Sequence, residues 1–219
     1  MIPAAALADP TTSLTDFALG ALTAALGLRL CARERRAGQL SRGLLAAGLL
    51  SVSAVALLGG AVHGFAPRLA VPTKSAIWGL IYSGIGLAMV LVLAALAVAA
   101  LPRRVHPWIL AALGSRLLAG VAFPAAREPW LLVLDFAFAV LALLGAGLDL
   151  WLRRRETAGG WILAAALVSL LGGFAQLSRF APHPLFNHND LFHVALMAGL
   201  YLFYRGGLLL RDRGGGRPS

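Results

Sequence analysis

The sequence predicts an all-α integral membrane protein built as a bundle of seven transmembrane helices. Hydrophobic residues make up 59% of the 219 residues and charged residues only 13%, with a mean hydropathy of +0.81. The apolar residues form long runs without the alternation of strands, and a bilayer accepts such runs only as helices. The basic residues lie mainly between the runs, as expected when loops separate membrane spans.

Seven apolar runs follow one another along the chain, and each is close to the roughly 20 residues that cross a bilayer. They are Leu14–Leu30, Gly43–Ala66, Ser75–Leu101, Pro107–Ala125, Pro129–Leu152, Gly159–Phe180 and Asp190–Leu210. The loops between them are too short for a soluble domain. We therefore predict one transmembrane domain over residues 1–210 and a disordered, basic cytoplasmic tail over residues 211–219.

The basic residues between the runs predict the orientation. Fourteen of the 19 Lys and Arg residues lie in one set of loops and the tail, and four lie in the other set. The larger set is Arg29, Arg33, Arg35, Arg36, Arg42, Arg103, Arg104, Arg153, Arg154, Arg155, Arg205, Arg211, Arg213 and Arg217. Because cytoplasmic loops carry the excess, we predict an outside N-terminus and a cytoplasmic C-terminus. This role also explains the positive charge without a nucleic-acid partner.

Composition further suggests where the protein resides. Lys74 is the only lysine, and Ala, Gly and Leu are abundant, as in proteins from GC-rich bacterial genomes. We therefore expect a bacterial inner (plasma) membrane protein. Cys31 is the single cysteine, which excludes an intrachain disulfide and a cysteine metal cluster.

Ionisable side chains, which are costly in a membrane, gather near the outer ends of the runs. Asp16 lies near the start of the first run, His63 near the end of the second, and Asp135 near the start of the fifth. In the predicted orientation these three residues share one depth. The inner halves hold little comparable beyond Asp149, which has Arg153 four residues later and predicts an ion pair at the rim. This one-sided clustering predicts a functional site near the outer face.

The stretch Phe186–His193 opens the seventh run and suggests metal chemistry. Asp190 and His193 are three residues apart and share a helix face. His188 and His193 are about 140° apart around an ideal helix, so another run has to supply a ligand, and His63 lies at the right depth. Imidazoles and carboxylates bind zinc, whose bound water ionises near pH 7. We predict zinc, with His63, His188 and His193 as its ligands.

This arrangement resembles the CREST superfamily of seven-helix membrane proteins, which includes alkaline ceramidases and progestin and adipoQ receptors. His63 corresponds to the histidine of the family's Ser-xxx-His pattern, with Gly59 at the serine position. His193 corresponds to the second histidine of its His-xxx-His pattern, with Asn189 at the first position and His188 one residue earlier. The third run lacks the family's Asp.

The resemblance implies a zinc-dependent membrane hydrolase that cleaves a lipid amide or ester, as ceramidases do. A membrane lipid would then be the substrate. Because the third run has no Asp, Asp16, Asp135 or Asp190 would have to serve as the acid or base. The site would lie at the outer end of the bundle.

Other interpretations of the same residues stay open. Asn187 and Asp190 have the spacing of a helix N-cap and its third residue. Asp135 and Arg116 could form a structural ion pair. Asp16 could be a first-turn acid that interacts favourably with the helix dipole. For the whole protein, the alternatives are a non-enzymatic seven-helix sensor or small-molecule binder, and a haem or quinone redox protein.

Overall fold

A computed structural model describes residues 7–122 and 129–213, and within these ranges the protein is helical, without strands. The seven helices are α1 (Pro10–Ala37), α2 (Leu40–Phe65), α3 (Val71–Ala100), α4 (His106–Ala122), α5 (Pro129–Leu148), α6 (Thr157–Ser178) and α7 (His188–Gly207). Short 3-10 turns at Ala66–Arg68 and Arg103–Val105 precede α3 and α4, and a π-helical turn at Asp149–Arg153 extends α5. Within the described ranges each predicted apolar run coincides with one helix, which confirms the all-helical fold class. Residues 123–125 of the fourth run lie outside these ranges.

Five helices are long and apolar enough to cross a membrane, namely α1, α2, α3, α5 and α6. The described part of α4 has 17 residues, and α7 begins with a polar turn. The fold is therefore compatible with an integral membrane protein.

The helices form a closed ring of six, with the seventh outside it. α1 packs on α2 and α7, α2 on α3, α3 on α5, and α6 on both α5 and α7. The contact between α3 and α5 excludes α4, which packs on α3 from outside the ring. Succession along the chain would have placed α4 between its neighbours, so the sequence did not indicate this arrangement.

Small and hydroxylated residues bring α1 and α2 close together. The Ser13 hydroxyl donates to the carbonyl of Gly60 at 2.7 Å, and the Ser53 hydroxyl donates to the carbonyl of Gly20 at 2.8 Å. A Cβ at Gly60 would lie 2.9 Å from the Phe17 ring. Glycine is needed at this close approach, as is common where membrane helices pack closely.

The apolar core fills one half of the ring. Its largest buried members are Leu30, Leu45, Leu49, Leu150 and Ile162. They lie toward the end where α1, α3, α5 and α7 finish, which we call the basic end because its loops carry the arginine excess. The cavity described below extends from this core into the opposite half of the ring, and Val140, Leu143, Ala165 and Phe203 belong to both.

Residues after α7 form hydrogen bonds that stabilise the basic end. The Asp212 carboxylate accepts from the backbone amides of Leu40 at 2.8 Å and Ser41 at 2.9 Å, so it caps α2 from the far end of the chain. The guanidinium of Arg213 donates to the carbonyl of Ala100 at 2.5 Å. The disorder predicted from Arg211 onward thus does not apply to Asp212 and Arg213. Residues 214–219 lie outside the described part of the chain.

Two ion pairs proposed from the sequence are present. Arg116 on α4 and Asp135 on α5 are 2.5 Å apart. Arg153 and Asp149, the last and first residues of the π-helical turn, are 3.7 Å apart. The first pair joins the outer helix α4 to the ring, which gives a structural reason for both charges.

Candidate functional site

A cavity of about 410 Å³ lies inside the ring. The described residues that line it come from the six ring helices, and α4 contributes none of them. On α3 the lining extends from Trp78 to Val92, which corresponds to about 21 Å along the helix axis. Most of the wall is apolar, and the titratable residues Asp16, His63 and His193 line its end away from the core.

Asp190 is held as a structural residue beside this end. Its side chain is fully buried, and its Oδ2 accepts from the backbone amide of Asn187 at 2.7 Å. The Asn187 side chain accepts in return from the amides of Asn189 and Asp190, which completes a capping box. Asp190 Oδ1 accepts from the Thr12 hydroxyl of α1 at 2.9 Å. The capping interpretation of the sequence is confirmed.

His193 connects the capping box to the cavity. Its Nδ1 is 3.0 Å from the Thr15 hydroxyl, and its Nε2 is 3.4 Å from Oδ1 of Asp16. The same hydroxyl has two oxygen acceptors in reach, the Thr12 carbonyl at 3.0 Å and Asp190 Oδ1 at 3.4 Å. A hydroxyl has one proton, so we assign Thr15 as donor to an oxygen and acceptor from Nδ1–H. Nε2 then presents its lone pair to Asp16.

Asp16 is a cavity residue rather than an exposed first-turn acid. Its exposed fraction is 5%, and it occupies space that a small residue on α2 leaves open. A Cβ at Gly59 would be 3.0 Å from Asp16 Oδ2. Glycine at the position where the resemblance calls for serine therefore makes room for a carboxylate from α1.

His63 lies on the same cavity wall as His193 but has a different neighbour. Its ring stands edge-on to Trp78, with the ring centroids 5.7 Å apart. Trp78 in turn packs against Tyr82 at 5.8 Å. The aromatic contact orients the imidazole at the cavity wall.

An amide at the same end of the cavity has an unused hydrogen-bonding atom. Gln176 Nε2 donates to Asn189 Oδ1 at 2.8 Å. Gln176 Oε1 is buried, yet within the described part of the chain no group donates to it. A buried acceptor without a partner is costly, and both residues line the cavity. A ligand that carries an N–H or O–H group would satisfy this oxygen.

The structure brings together only part of the predicted site. His63, His193 and Asp16 line one cavity. Asp190 does not line it: the cap and Thr12 use its carboxylate, which is linked to the cavity residue His193 through Thr15. His188, the first residue of α7, and Asp135 are not among the described cavity-lining residues. Asp135 is engaged with Arg116 instead.

The sequence analysis missed Thr12 and Thr15. Their signal was present, because Thr12 lies four residues before Asp16 and three before Thr15, and so shares a side of the helix with each. Hydroxyl side chains near the start of a helix commonly act as caps, so the sequence did not indicate that these threonines contact α7.

The zinc site stays a prediction. The 3.4 Å from His193 Nε2 to Asp16 Oδ1 suits two ligands of one tetrahedral zinc, which lie about 3.3 Å apart when each bond is about 2.0–2.1 Å. Yet within the described ranges no three His, Cys, Asp or Glu side chains are grouped closely enough to hold a metal ion. As placed, the side chains offer two ligands and not the predicted three.

Comparison with known proteins gives a family and no function. No curated protein and no solved structure matches the chain significantly. A family model described as a family of unknown function, DUF6962, matches residues 11–212. That range contains the seven described helices except Pro10, the first residue of α1, and every cavity residue named above, so the chain belongs to the DUF6962 family of unknown function.

Proposed function

We propose that this protein binds an amphipathic, lipid-like molecule in the cavity of the ring, with the polar group of the molecule against Asp16, His193 and Gln176. The observation that carries the proposal is the distribution of polarity in the cavity. The wall is apolar over most of its length, while the polar side chains other than Ser169 occupy one end. An acyl chain with a polar head has the same distribution.

The size of the cavity suits such a ligand. Sites for small molecules and cofactors commonly enclose about 300–1,000 Å³ and are lined mainly by apolar side chains with a few placed polar groups. At about 410 Å³ the cavity falls within this range. Its length of about 21 Å along α3 accommodates an extended chain better than a compact solute.

The polar end favours an amide or hydroxyl head group. Gln176 Oε1 lacks a donor within the described ranges, and Asp16 offers a second acceptor. His193 Nε2, in the tautomer assigned above, accepts from Asp16. Two acceptors and no lysine or arginine among the described lining residues favour a neutral donor group over an anionic head.

We also propose the membrane arrangement in which this cavity works. All seven helices span the bilayer, the N-terminus is outside and the C-terminus is cytoplasmic. The arginine excess at the basic end supports this orientation, and the polar end of the cavity then faces the outer leaflet. A bacterial inner membrane remains our expectation for its location.

Native mass spectrometry of protein extracted in mild detergent tests the binding proposal. An N-acyl ethanolamine serves as the probe, because it combines an acyl chain with an amide and a hydroxyl. Leu196→Trp fills the cavity from α7, and Leu171→Trp is the control, because Leu171 is 70% exposed on α6 and does not line the cavity. We expect one bound probe in the wild type and in Leu171→Trp, and none in Leu196→Trp. Absence of binding in the wild type, or equal binding in all three, would show that the proposal is wrong.

A zinc-dependent hydrolase of lipid amides or esters is a second candidate function. It is favoured by the 3.4 Å separation of His193 Nε2 and Asp16 Oδ1 and by His63 on the same wall. His193 and Asp16 would then be two of the ligands of the ion, and His63 would have to come closer to be the third. The ion would supply Lewis acidity that activates a water for attack. The CREST resemblance supports the same reading.

Elemental analysis of protein purified without chelator separates the two candidates. We expect, for the hydrolase, one zinc per chain that His63→Ala and His193→Ala remove and His106→Ala keeps. His106 is the matched control, because it begins α4 outside the ring. Binding of the amide probe without zinc and without release of fatty acid would leave the binding protein and reject the hydrolase.

A further inference from the structure

A second pocket lies at the basic end, between the end of α5 and the start of α6. Its volume is about 430 Å³, and it is lined by Trp151, Arg155, Thr157, Gly160 and Trp161. It shares no lining residue with the cavity, whose nearest lining residue on α6, Ala165, lies about 6 Å along the helix axis from Trp161.

Three consecutive arginines border this pocket and have different environments. Arg153 pairs with Asp149, and Arg154 pairs with Glu156 at 2.6 Å while donating to the carbonyl of Ala99. Arg155 lines the pocket, and the described part of the chain provides no acceptor for its guanidinium. One uncompensated positive charge therefore faces the pocket.

The backbone of Arg155 also departs from ordinary geometry. Its φ is 55°, in the left-handed region that side-chain-bearing residues rarely adopt. Glycine would adopt this conformation without strain, but a left-handed residue commonly ends a helix, as Arg179 does after α6, so this φ reflects the end of the helix.

Aromatic rings complete the pocket. Trp151 is 51% exposed, and the guanidinium of Arg205 lies over the Trp161 ring at 4.5 Å from its centroid. Tryptophan is enriched at the level of lipid head groups, where its ring meets both acyl chains and polar groups. Arg205 adds a second positive charge beside the pocket wall.

We propose that this pocket binds the phosphate of an anionic phospholipid head group. The Arg155 guanidinium donates to the phosphate oxygens, and Arg205 adds to the positive potential beside the pocket. Thr157 offers a further hydroxyl donor, and the exposed face of Trp151 contacts the first acyl carbons. Basic pockets between membrane helices are a recognised location for such head groups. This site goes beyond the cavity ligand and does not depend on it.

Native mass spectrometry of delipidated protein, titrated with phosphatidylglycerol, tests this site. Arg155→Gln removes the charge in the pocket, and Arg153→Gln is the matched control from the same run of arginines, since its side chain is 84% exposed and pairs with Asp149. We expect Arg155→Gln to weaken binding about fivefold or more, as the loss of one basic residue near anionic lipid predicts. Arg153→Gln should change it less than twofold.

Further measurements separate this site from diffuse charge and from a site for soluble phosphate. Arg155→Gly should lose binding as Arg155→Gln does while its melting temperature stays equal or rises, because glycine relieves the positive φ. Equal weakening by Arg153→Gln and Arg155→Gln would overturn the proposal, and so would equal affinity for phosphatidylcholine. Competition by glycerol phosphate at the affinity of the lipid would reject the lipid head group as the ligand.

Discussion

Nε2 of His193 lies 3.4 Å from Oδ1 of Asp16, and this contact joins the second turn of α7 to the second turn of α1 at the cavity wall. Both side chains are largely buried, with exposed fractions of 13% and 7%. With the tautomer assigned from Thr15, a neutral His193 accepts here and a proton on Asp16 makes the bond. The pair can therefore hold one proton between two helices.

We expect Asp16 and His193 to act together on ligand binding. Asp16→Asn and His193→Gln should each weaken binding of the amide probe, because each removes one side of the pair. The double variant should lose less than the sum of the single losses, with a coupling of about 0.5–3 kcal/mol. Asp135→Asn is the control, because Asp135 does not line the cavity in the described structure. Strictly additive losses of binding would show that Asp16 and His193 do not interact in the protein.

Features of this site that depend on residues close in sequence were predictable, and contacts between residues distant in sequence were not. The depth of Asp16, His63 and His193 followed from helix length and loop charge, which are local properties. The cap of Asn187 and Asp190 followed from spacing alone. The contact between Thr15 and His193 depends on α1 and α7 being neighbours in the ring. The short loops do not determine that order of helices. For the same reason the exclusion of α4 from the ring could not be predicted.

Thr15 should fix the tautomer of His193. Thr15→Val keeps the shape of the side chain and removes the acceptor for Nδ1–H. We expect the proton to move to Nε2, which the 15N chemical shifts of the imidazole would report. Thr12→Val is the matched control, since the Thr12 hydroxyl donates to Asp190 and does not contact His193. An unchanged tautomer in Thr15→Val would contradict the assigned hydrogen bond.

Asp190 should contribute to stability rather than to chemistry. Asp190→Asn keeps one acceptor oxygen but cannot accept at both Oδ1 and Oδ2, so either the Asn187 amide or the Thr12 hydroxyl loses its partner. We expect a loss of about 1–2 kcal/mol in unfolding free energy, measured by denaturation in detergent. Binding of the amide probe should stay within twofold. Loss of binding at unchanged stability would return Asp190 to the candidates for acid or base.

The pair of Arg116 and Asp135 should be worth more than a surface ion pair in water. At 2.5 Å it joins α4 to the ring, and a lone guanidinium or carboxylate on a membrane helix is costly. We expect Arg116→Leu and Asp135→Leu each to destabilise the protein, and the double variant to recover about 1–3 kcal/mol relative to their sum. Additive losses would show that the two charges are stabilised by other groups.

Asp212 should stabilise α2 even though it lies beyond the last helix. Its carboxylate accepts from the amides of Leu40 and Ser41, the first two residues of α2. Asp212→Ala should therefore cost about 1 kcal/mol of unfolding free energy, the usual loss for a removed N-cap. Asp149→Ala removes a carboxylate at the same end of the bundle, but its partner Arg153 is 84% exposed at 3.7 Å, so the expected loss is below about 0.5 kcal/mol. Equal losses in the two variants would mean that α2 does not depend on a cap from the distant chain end.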